Sequence, residues 1–336
     1  MNYKIKKVLV TGGAGCIGLA VCKELFERNI EVVSYDLHEQ MKRAELDMPN
    51  NVVPYLGSIL DTSALRDAAI GCDAIIHLAA YLGVRRTETN PLRCLEINIT
   101  GTKNVIEMGM QAGIKKIIFA SSSEVYGEPL SNPINEDFIT QGKTVYGVTK
   151  LAGEELVKAY AKRYNNLDYS ILRFFNTYGI NQISQFVIPK FIRSVAENKP
   201  PVIYGDGNQS RSYCFAKDTA WATVQALMED KANSQIINIG NSNEPINLKE
   251  LADLIISSMG KKNQIKSILK DSFDSTDRTK DREINNRFCD TTKAQKILNY
   301  YPKVSLEEGL KTVIDYGVVY PNWLTTDEHY TIDDYL

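Results

Sequence analysis

Short runs of apolar, β-branched residues alternate with longer amphipathic segments through the first half of the chain. The runs predict strands at Lys7–Val10, Glu31–Tyr35, Val52–Tyr55, Ala74–His77, Lys116–Ala120 and Tyr169–Phe174. The amphipathic segments predict helices at Ile17–Arg28, Ser63–Ile70, Pro91–Ala112 and Tyr146–Tyr164. Apolar strands that alternate with helices are typical of a parallel sheet covered on both faces. The pattern therefore predicts a doubly wound α/β fold, with ligands at the carboxyl ends of the strands.

The alternation changes after Asn176. Pro189, Pro200-Pro201 and Gly205-Asp206-Gly207 interrupt it, whereas Gln235–Ile239 predicts one more strand of the first sheet. We therefore expect two domains with exchanged segments. Residues 1–179 with about 214–244 form the doubly wound domain, and about 180–213 with 245–336 form a smaller, mixed α/β C-terminal lobe for the substrate.

Composition excludes several classes of protein. The 336 residues carry 39 Lys and Arg against 41 Asp and Glu, a net charge of −2, which lacks the basic excess of a nucleic-acid or anionic-membrane binder. No apolar run reaches the roughly 18 residues of a membrane span. The six cysteines and three histidines form no metal-ligand pattern. The sequence predicts a cytoplasmic protein with no metal, no nucleic-acid partner and no membrane partner.

A glycine-rich loop follows the first predicted strand and opens the first predicted helix. Gly12 allows a tight turn, Gly15 lets the backbone approach a pyrophosphate, and Gly18 lets the helix pack on the strand. Asp36 ends the next strand, where a carboxylate accepts the ribose hydroxyls of NAD and repels the 2′-phosphate of NADP. The basic pair Lys42-Arg43 leaves NADP open as an alternative, but it is predicted to lie on the loop after this strand, at the surface. This arrangement is typical of a Rossmann-type fold and indicates NAD as the cofactor.

Tyr146 and Lys150 share one face of a predicted helix, because they are four residues apart. A lysine ammonium and the positive nicotinamide ring both stabilise a phenolate, so we expect a lowered pKa for Tyr146. Tyr146 would then remove a proton from a substrate hydroxyl. Ser122 lies just past the strand Lys116–Ala120, within reach of the same hydroxyl.

These motifs resemble those of the extended short-chain dehydrogenase/reductases, in the nucleotide-sugar epimerase/dehydratase group. The resemblance rests on motifs in chain order: Thr11–Gly18, His77–Ala80, Asn98–Thr102, Ser121–Gly127, Tyr146–Lys150, Arg173–Gly179 and Tyr204–Arg211. It covers most of the chain. It implies an NAD-dependent enzyme whose substrate is a nucleotide-diphosphate sugar, and a homodimer in which the two long helices, Pro91–Ala112 and Tyr146–Tyr164, form a four-helix bundle with their partners.

The resemblance also implies residue roles, with Ser122, Tyr146 and Lys150 as the catalytic triad. The cofactor positions, from the glycine loop and the resemblance together, are Gly12, Gly15, Cys16, Ile17, Gly18, Asp36, Ser58, Ile59, Leu78, Ala79, Ala80 and Phe174. The substrate positions are Ser123, Asn176, Arg211 and Arg282, with Arg287 as a further candidate for the diphosphate. Two departures from the group stand out: Ser58 replaces an aspartate that holds adenine, and Ile180 replaces a proline.

Glu124 distinguishes among the reactions of this group. It lies two positions after Ser122 in a segment predicted to be extended, so both side chains would point to the same face. The Ser122–Glu124 pattern resembles dehydratases and decarboxylases more than 4-epimerases. We therefore expect oxidation of the hexose at C4 followed by loss of water, as in a 4,6-dehydratase, with Glu124 as the base at C5.

Four alternatives stay open from the sequence. They are a decarboxylase of the UDP-glucuronate type, a 4-epimerase, a 4-dehydrogenase that releases the keto sugar, and a non-catalytic NAD-binding sensor. The segment Leu82–Arg86 follows the fourth predicted strand and is expected to contribute to sugar specificity.

Overall fold

A parallel β-sheet lies at the centre of the molecule. The computed structural model describes residues 5–270, 284 and 286–320. Seven strands form the central sheet: β1 (Lys7–Thr11), β2 (Glu31–Asp36), β3 (Val52–Leu56), β4 (Ala74–His77), β5 (Lys116–Ser122), β6 (Asp168–Phe174) and β11 (Gln235–Ile239). The smaller sheets use β7 (Thr177–Tyr178), β8 (Val202–Tyr204), β9 (Ser210–Ser212), β10 (Cys214–Phe215), β12 (Pro245–Asn247), β13 (Ile268–Lys270) and β14 (Asn286–Arg287).

Helices connect and cover the strands. They are α1 (Cys16–Glu27), α2 (His38–Ala44), α3 (Thr62–Ala69), α4 (Val84–Thr89), α5 (Pro91–Leu95), α6 (Gly101–Gln111), α7 (Val145–Tyr164), α8 (Val187–Ala196), α9 (Ala216–Met228), α10 (Leu248–Ser258), α11 (Thr292–Leu298) and α12 (Leu306–Val319). A π-helical segment, Glu96–Thr100, joins α5 to α6, and short 3₁₀ turns occur at Ser123–Tyr126 and Asp230–Ala232.

The central sheet has the order β11-β6-β5-β4-β1-β2-β3, and all its neighbours are parallel. The chain runs outward from β1 through β2 to β3 and then crosses back to β4 on the other side of β1. A crevice opens at the carboxyl ends of the strands where the order reverses in this way. The predicted Rossmann-type doubly wound fold is confirmed.

The inner strands of the central sheet are buried on both faces, whereas the edge strand β3 exposes Val53 and Leu56. In β1, Val8 and Val10 pack in one apolar cluster with α1 and α9, whereas Leu9 packs in a second cluster with α3, α6 and α7. This alternation explains why the inner strands are almost continuously apolar, since neither of their faces meets water.

A separate apolar cluster is built from α8, α10 and α12 around Tyr178 and Tyr213. Capping boxes fix the starts of two of these helices, with Asn247 and Glu250 at α10 and Ser305 at α12. The predicted division into two domains stays a prediction.

The predicted helix Pro91–Ala112 differs from the structure in its middle. The wider π-helical turns carry one extra residue and direct Asn98 inward. There the Asn98 Oδ1 accepts the Tyr81 N–H at 2.7 Å, and Nδ2 donates to the Tyr81 carbonyl at 3.0 Å. The insertion thus holds the loop that follows β4, at the edge of the crevice.

Within the described residues, no helix is long and apolar enough to cross a membrane, and no cluster of His, Cys, Asp or Glu could hold a metal ion. All six cysteines are free thiols.

Candidate active site

The carboxyl ends of the central strands open into a cleft of about 860 Å³. Every predicted site residue in the described part of the chain lines it: Gly12, Gly15, Cys16, Ile17, Gly18, Asp36, Ser58, Ile59, Leu78, Ala79, Ala80, Phe174, Ser122, Ser123, Glu124, Tyr146, Lys150, Asn176 and Arg211. Arg282 lies outside the described residues. One cavity therefore brings together the glycine loop, the Tyr-Lys pair and the basic side chains.

The glycine loop has the shape that a pyrophosphate needs. Gly12 has a φ of +73°, and a Cβ there would lie 2.7 Å from the Ala79 nitrogen. A Cβ on Gly18 would overlap the Gly12 carbonyl oxygen. Gly15 is the N-cap of α1, and no side chain caps this helix end. The first N–H groups of α1 and its positive dipole end therefore face the cleft, which fits a dinucleotide.

Asp36 occupies the end of β2, beside this loop. Its Oδ2 accepts the Ala14 N–H at 3.0 Å and its Oδ1 accepts the Leu37 N–H at 2.8 Å. Burial raises the pKa of Asp36 to about 6, against the opposing effects of these bonds and of Arg43. Arg43 lines the cleft and is only partly exposed, so its predicted place on the surface is wrong.

Ser122, Tyr146 and Lys150 meet at the end of β5. The Ser122 hydroxyl acts to lower the pKa of the Tyr146 phenol, and the Lys150 Nζ lies 5.7 Å from the Tyr146 ring centre while donating to the Ala120 carbonyl at 2.8 Å. Burial lowers the pKa of Lys150 to about 8. Burial and the charge of Glu124 raise the pKa of Tyr146 in the protein, opposite to the predicted direction.

Glu124 lies in the 3₁₀ turn Ser123–Tyr126, not in an extended segment, because the Ser122 hydroxyl accepts the Glu124 N–H at 3.2 Å and starts the turn. The carboxylate still faces the cleft. Its Oε1 accepts from Arg287 Nη1 at 2.9 Å and its Oε2 accepts from the Thr144 hydroxyl at 3.1 Å. Burial acts to raise the pKa of Glu124, but Arg287 and the hydrogen bonds outweigh it and hold the pKa low.

Arg211 and Arg287 are direct partners across the parallel strands β9 and β14. Two like charges in this position repel each other unless anions compensate them. Glu124 supplies one such anion. The Arg287 side chain is 9% exposed, and its Nε is buried with no hydrogen-bond partner among the described residues. This wall of the cleft is therefore suited to bind an anionic ligand.

Sequence reasoning missed several residues of the cleft, among them Thr144 and Arg93. Thr144 could have been found as the N-cap of α7, since its hydroxyl accepts the Gly147 N–H. Arg287 had been considered only for the diphosphate. Within the segment Leu82–Arg86, Leu82, Gly83 and Arg86 line the cleft, and the Arg86 guanidinium lies 4.6 Å from the Tyr81 ring centre.

Comparison with known proteins fits this geometry. A model of the NAD dependent epimerase/dehydratase family matches residues 8–240. The chain belongs to this family. A putative UDP-glucose 4-epimerase from Methanocaldococcus jannaschii is 33% identical over 92% of the chain and 97% of the relative. A UDP-N-acetyl-alpha-D-glucosaminuronate decarboxylase from Bacillus cytotoxicus is also 33% identical, over 93% and 97%.

Among solved structures, the UDP-glucuronic acid 4-epimerase from Bacillus cereus, in complex with UDP-glucuronic acid and NAD, has a TM-score of 0.81 and 30% identity over 92% of the chain and 98% of that structure. The family and these neighbours establish NAD as the cofactor, in agreement with the sequence prediction. The protein is an NAD-dependent enzyme of the group that contains nucleotide-sugar epimerases, decarboxylases and dehydratases.

Proposed function

We propose that the protein is an NAD-dependent decarboxylase of a nucleotide-diphosphate hexuronate. The observation that carries the proposal is the ion pair between Glu124 and Arg287, which lies in the cleft beside Ser122 and Tyr146. It places a cation that recognises carboxylates next to the residues that would act at C4 of the sugar.

The first half-reaction is common to the group. Tyr146 takes the proton of the 4-hydroxyl, Ser122 hydrogen-bonds to the same oxygen, and Lys150 supplies positive charge beside the phenol. When bound, NAD supplies the hydride acceptor for C4 and later returns the hydride. The buried site around Lys150 strengthens these electrostatic interactions because little water screens them.

The sequence favoured loss of water next, with Glu124 as the base at C5. The environment of Glu124 supports this step poorly, because a carboxylate whose pKa is held low by Arg287 is a weak base. Elimination also needs an acid for the leaving hydroxyl, and Ser123 stands where dTDP-glucose-type dehydratases carry an aspartate. Some dehydratases that act on other nucleotides have serine there, as do the glucuronate decarboxylases. The family membership covers dehydratases without singling out this reaction.

Decarboxylation needs no base at C5. The C5–C6 bond breaks, C6 leaves as carbon dioxide, and the electron pair moves to the C4 ketone as an enolate, after which C5 takes a proton from the solvent. Negative charge moves from the carboxylate toward O4, the position near Lys150. The negative charge of Glu124 near the departing carboxylate and the positive charge of Lys150 near O4 both favour this shift.

The diphosphate of the substrate would be bound by side chains other than Arg287. Arg211 lines the cleft beside Arg287, and Asn176 holds the backbone there through a bond from Nδ2 to the Ser212 carbonyl at 3.3 Å. We assign Arg211 and Asn176 to the diphosphate. The names of the relatives support a uridine carrier and a sugar acid, since two of them refer to UDP-linked uronic acids.

The test is mass spectrometry of nucleotide sugars after incubation with the protein and NAD in deuterated water. The panel contains UDP-glucuronate, UDP-N-acetylglucosaminuronate, UDP-glucose and dTDP-glucose. Loss of carbon dioxide with one deuterium gained supports the proposal. Loss of water from a neutral hexose would establish the dehydratase, and unchanged mass with inverted C4 would establish the epimerase; either result refutes decarboxylation.

We also infer a homodimer. The helices of the predicted bundle expose apolar side chains, with Leu92 78%, Val148 46% and Tyr164 47% exposed. Exposed apolar side chains on both helices support pairing with a second copy of the chain. Light scattering coupled to size exclusion measures the mass in solution, and a monomer at micromolar concentration would contradict the dimer.

A further inference from the structure

A contact between α2 and the segment after β7 ties down the glycine loop. The Arg43 side chain donates from Nε to the Asn181 Oδ1 at 3.1 Å and from Nη2 to the Asn181 carbonyl at 2.6 Å. The Asn181 Nδ2 in turn donates to the Ala14 carbonyl at 3.1 Å. The Ala14 N–H donates to Asp36. The Ala14 residue is thus held from both sides, by Asp36 and by Asn181.

The geometry of Asn181 indicates a built contact. Its side chain is 1% exposed, and its φ of +65° places it in the left-handed region, which asparagine tolerates better than most residues. Both ends of its amide are engaged, one by Arg43 and one by Ala14. A buried amide with both ends bonded has a fixed orientation, and the bonds to the Arg43 cation are of the stronger, charge-assisted kind.

A second contact holds the same region. Just beyond α2, the Asp47 Oδ2 accepts the Tyr316 hydroxyl of α12 at 2.6 Å. The segment from α2 to Asp47 is therefore fastened at two points to residues outside the central sheet.

We propose that Arg43 and Asn181 form a latch that slows the release of NAD. Both residues line the cleft together with Asp36 and Gly15, the residues that fit the ribose and the pyrophosphate. Because the latch fixes Ala14 between Asp36 and Asn181, opening it loosens the loop that would hold the pyrophosphate. The inference depends on NAD binding alone and not on which sugar reaction follows.

The latch has a consequence for the reaction. The sugar is oxidised and then reduced within one catalytic cycle. Dissociation of the cofactor between the oxidation and the reduction would leave a keto sugar that is not reduced. A slow release of NAD protects the second half of the cycle. The latch therefore favours an enzyme that retains its cofactor over a dehydrogenase that exchanges it at every turnover.

The test measures the dissociation of NAD from the full-length protein. Protein loaded with adenine-labelled NAD is chased with excess unlabelled NAD, and bound label is followed by rapid filtration. Arg43→Ala and Asn181→Gly, the second of which keeps the left-handed backbone, are each expected to release NAD at least about tenfold faster than wild type. The control is Lys42→Ala, which removes an exposed charge of the same helix outside the cleft.

Lys42→Ala is expected to stay within about twofold of wild type, a difference below 0.5 kcal/mol on the scale of about 1.4 kcal/mol per tenfold. Arg43→Lys keeps the charge but not the forked geometry and should also release faster. Thermal unfolding identifies any variant that fails to fold. Release at the wild-type rate from folded Arg43→Lys and Asn181→Gly variants overturns the proposal. Equal acceleration by Lys42→Ala also overturns it, because helix charge alone would then explain the effect.

Discussion

Arg287 and Glu124 form an ion pair of 2.9 Å between residues that lie 163 positions apart in the chain. The pair joins β14 to the 3₁₀ turn after β5, so it links the basic wall of the cleft to the Ser122–Tyr146 end. The Arg287 side chain is nearly buried, whereas Glu124 is 26% exposed to the cleft. Arg287 thus holds the Glu124 carboxylate in its charged form, while its own Nε is buried without a hydrogen-bond partner among the described residues.

We expect Arg287→Met to abolish most activity toward a uronic-acid substrate. Removing one partner of a close charge pair in a ligand site costs about 2–5 kcal/mol, which corresponds to a fall of roughly 30-fold or more in kcat/KM. The measurement is steady-state formation of carbon dioxide. Arg287→Lys keeps the charge and should retain part of the activity. Equal kcat/KM in wild type and Arg287→Met would contradict a role in binding the carboxylate.

Glu124→Gln separates decarboxylation from elimination. If Glu124 were the C5 base, the substitution would cost about 10²–10⁴-fold in the step after C4 oxidation. We expect a smaller loss, of about tenfold, because Glu124 only orients Arg287 and contributes charge. Single-turnover kinetics measure this step through carbon dioxide release. A stall of about a hundredfold or more at the keto sugar would restore Glu124 as the base.

Activity should fall above about pH 8, where Lys150 loses its proton. Burial lowers the pKa of Lys150, and its neutral form no longer stabilises the Tyr146 phenolate. The measurement is the pH profile of kcat. Lys150→Arg keeps its charge at every accessible pH and, at lower activity, should lack this alkaline limb. If kcat of Lys150→Arg still fell at alkaline pH, the fall would be caused by another titrating group.

The affinity for NAD should fall as the pH drops through about 6, the raised pKa of Asp36. Below that pH the carboxyl is protonated, so it loses its negative charge and one of the two oxygens that would accept from the ribose hydroxyls becomes a donor. Titration calorimetry between about pH 5 and pH 8 checks this dependence. Asp36→Asn should bind NAD more weakly at all pH values and show no inflection near pH 6. An inflection that survives the substitution would exclude Asp36 as its source.

The central sheet could be predicted because its strands and helices are local patterns. The predicted bounds of β4 and β11 agree with the structure, since apolar runs ended by polar or turn residues mark strands from sequence alone. The π-helical segment Glu96–Thr100 could not be predicted in the same way. It depends on Asn98 reaching Tyr81, a contact between distant segments that no helical period reveals.

The same distinction, between local sequence patterns and contacts of distant segments, applies to the site. The glycine loop and the pair Tyr146–Lys150 have local spacings that fix their geometry, and both line the cleft. The contact of Glu124 with Arg287 depends on β14 pairing with β9, and the inward position of Arg43 depends on Asn181. Such contacts are set by tertiary packing and leave no local pattern in the sequence. The sequence therefore predicted Arg43 on the surface, although it lines the cleft.

The fold should depend strongly on the buried pair Glu154–Arg173, which joins α7 to β6. Their side chains are 1% and 4% exposed, with Oε2 and Nη2 2.7 Å apart, and Ser121 also donates to Glu154. Glu154→Gln leaves Arg173 buried without a counter-charge, so we expect a loss of about 3–5 kcal/mol in the free energy of unfolding. Urea denaturation measures it.

The control for this loss is Glu197→Gln at the C-terminal end of α8, which removes the partner of Arg193 and Lys199 from a solvent-exposed group of charges. Water already solvates those charges, so the change should stay within about 0.5 kcal/mol. The double variant Glu154→Leu with Arg173→Met removes both buried charges and should recover part of the stability. If Glu154→Gln cost no more than the control, neutral acceptors such as Tyr126, whose hydroxyl lies 2.9 Å from Arg173 Nη1, would suffice for the buried Arg173 charge, and the proposed role of the Glu154 charge would be wrong.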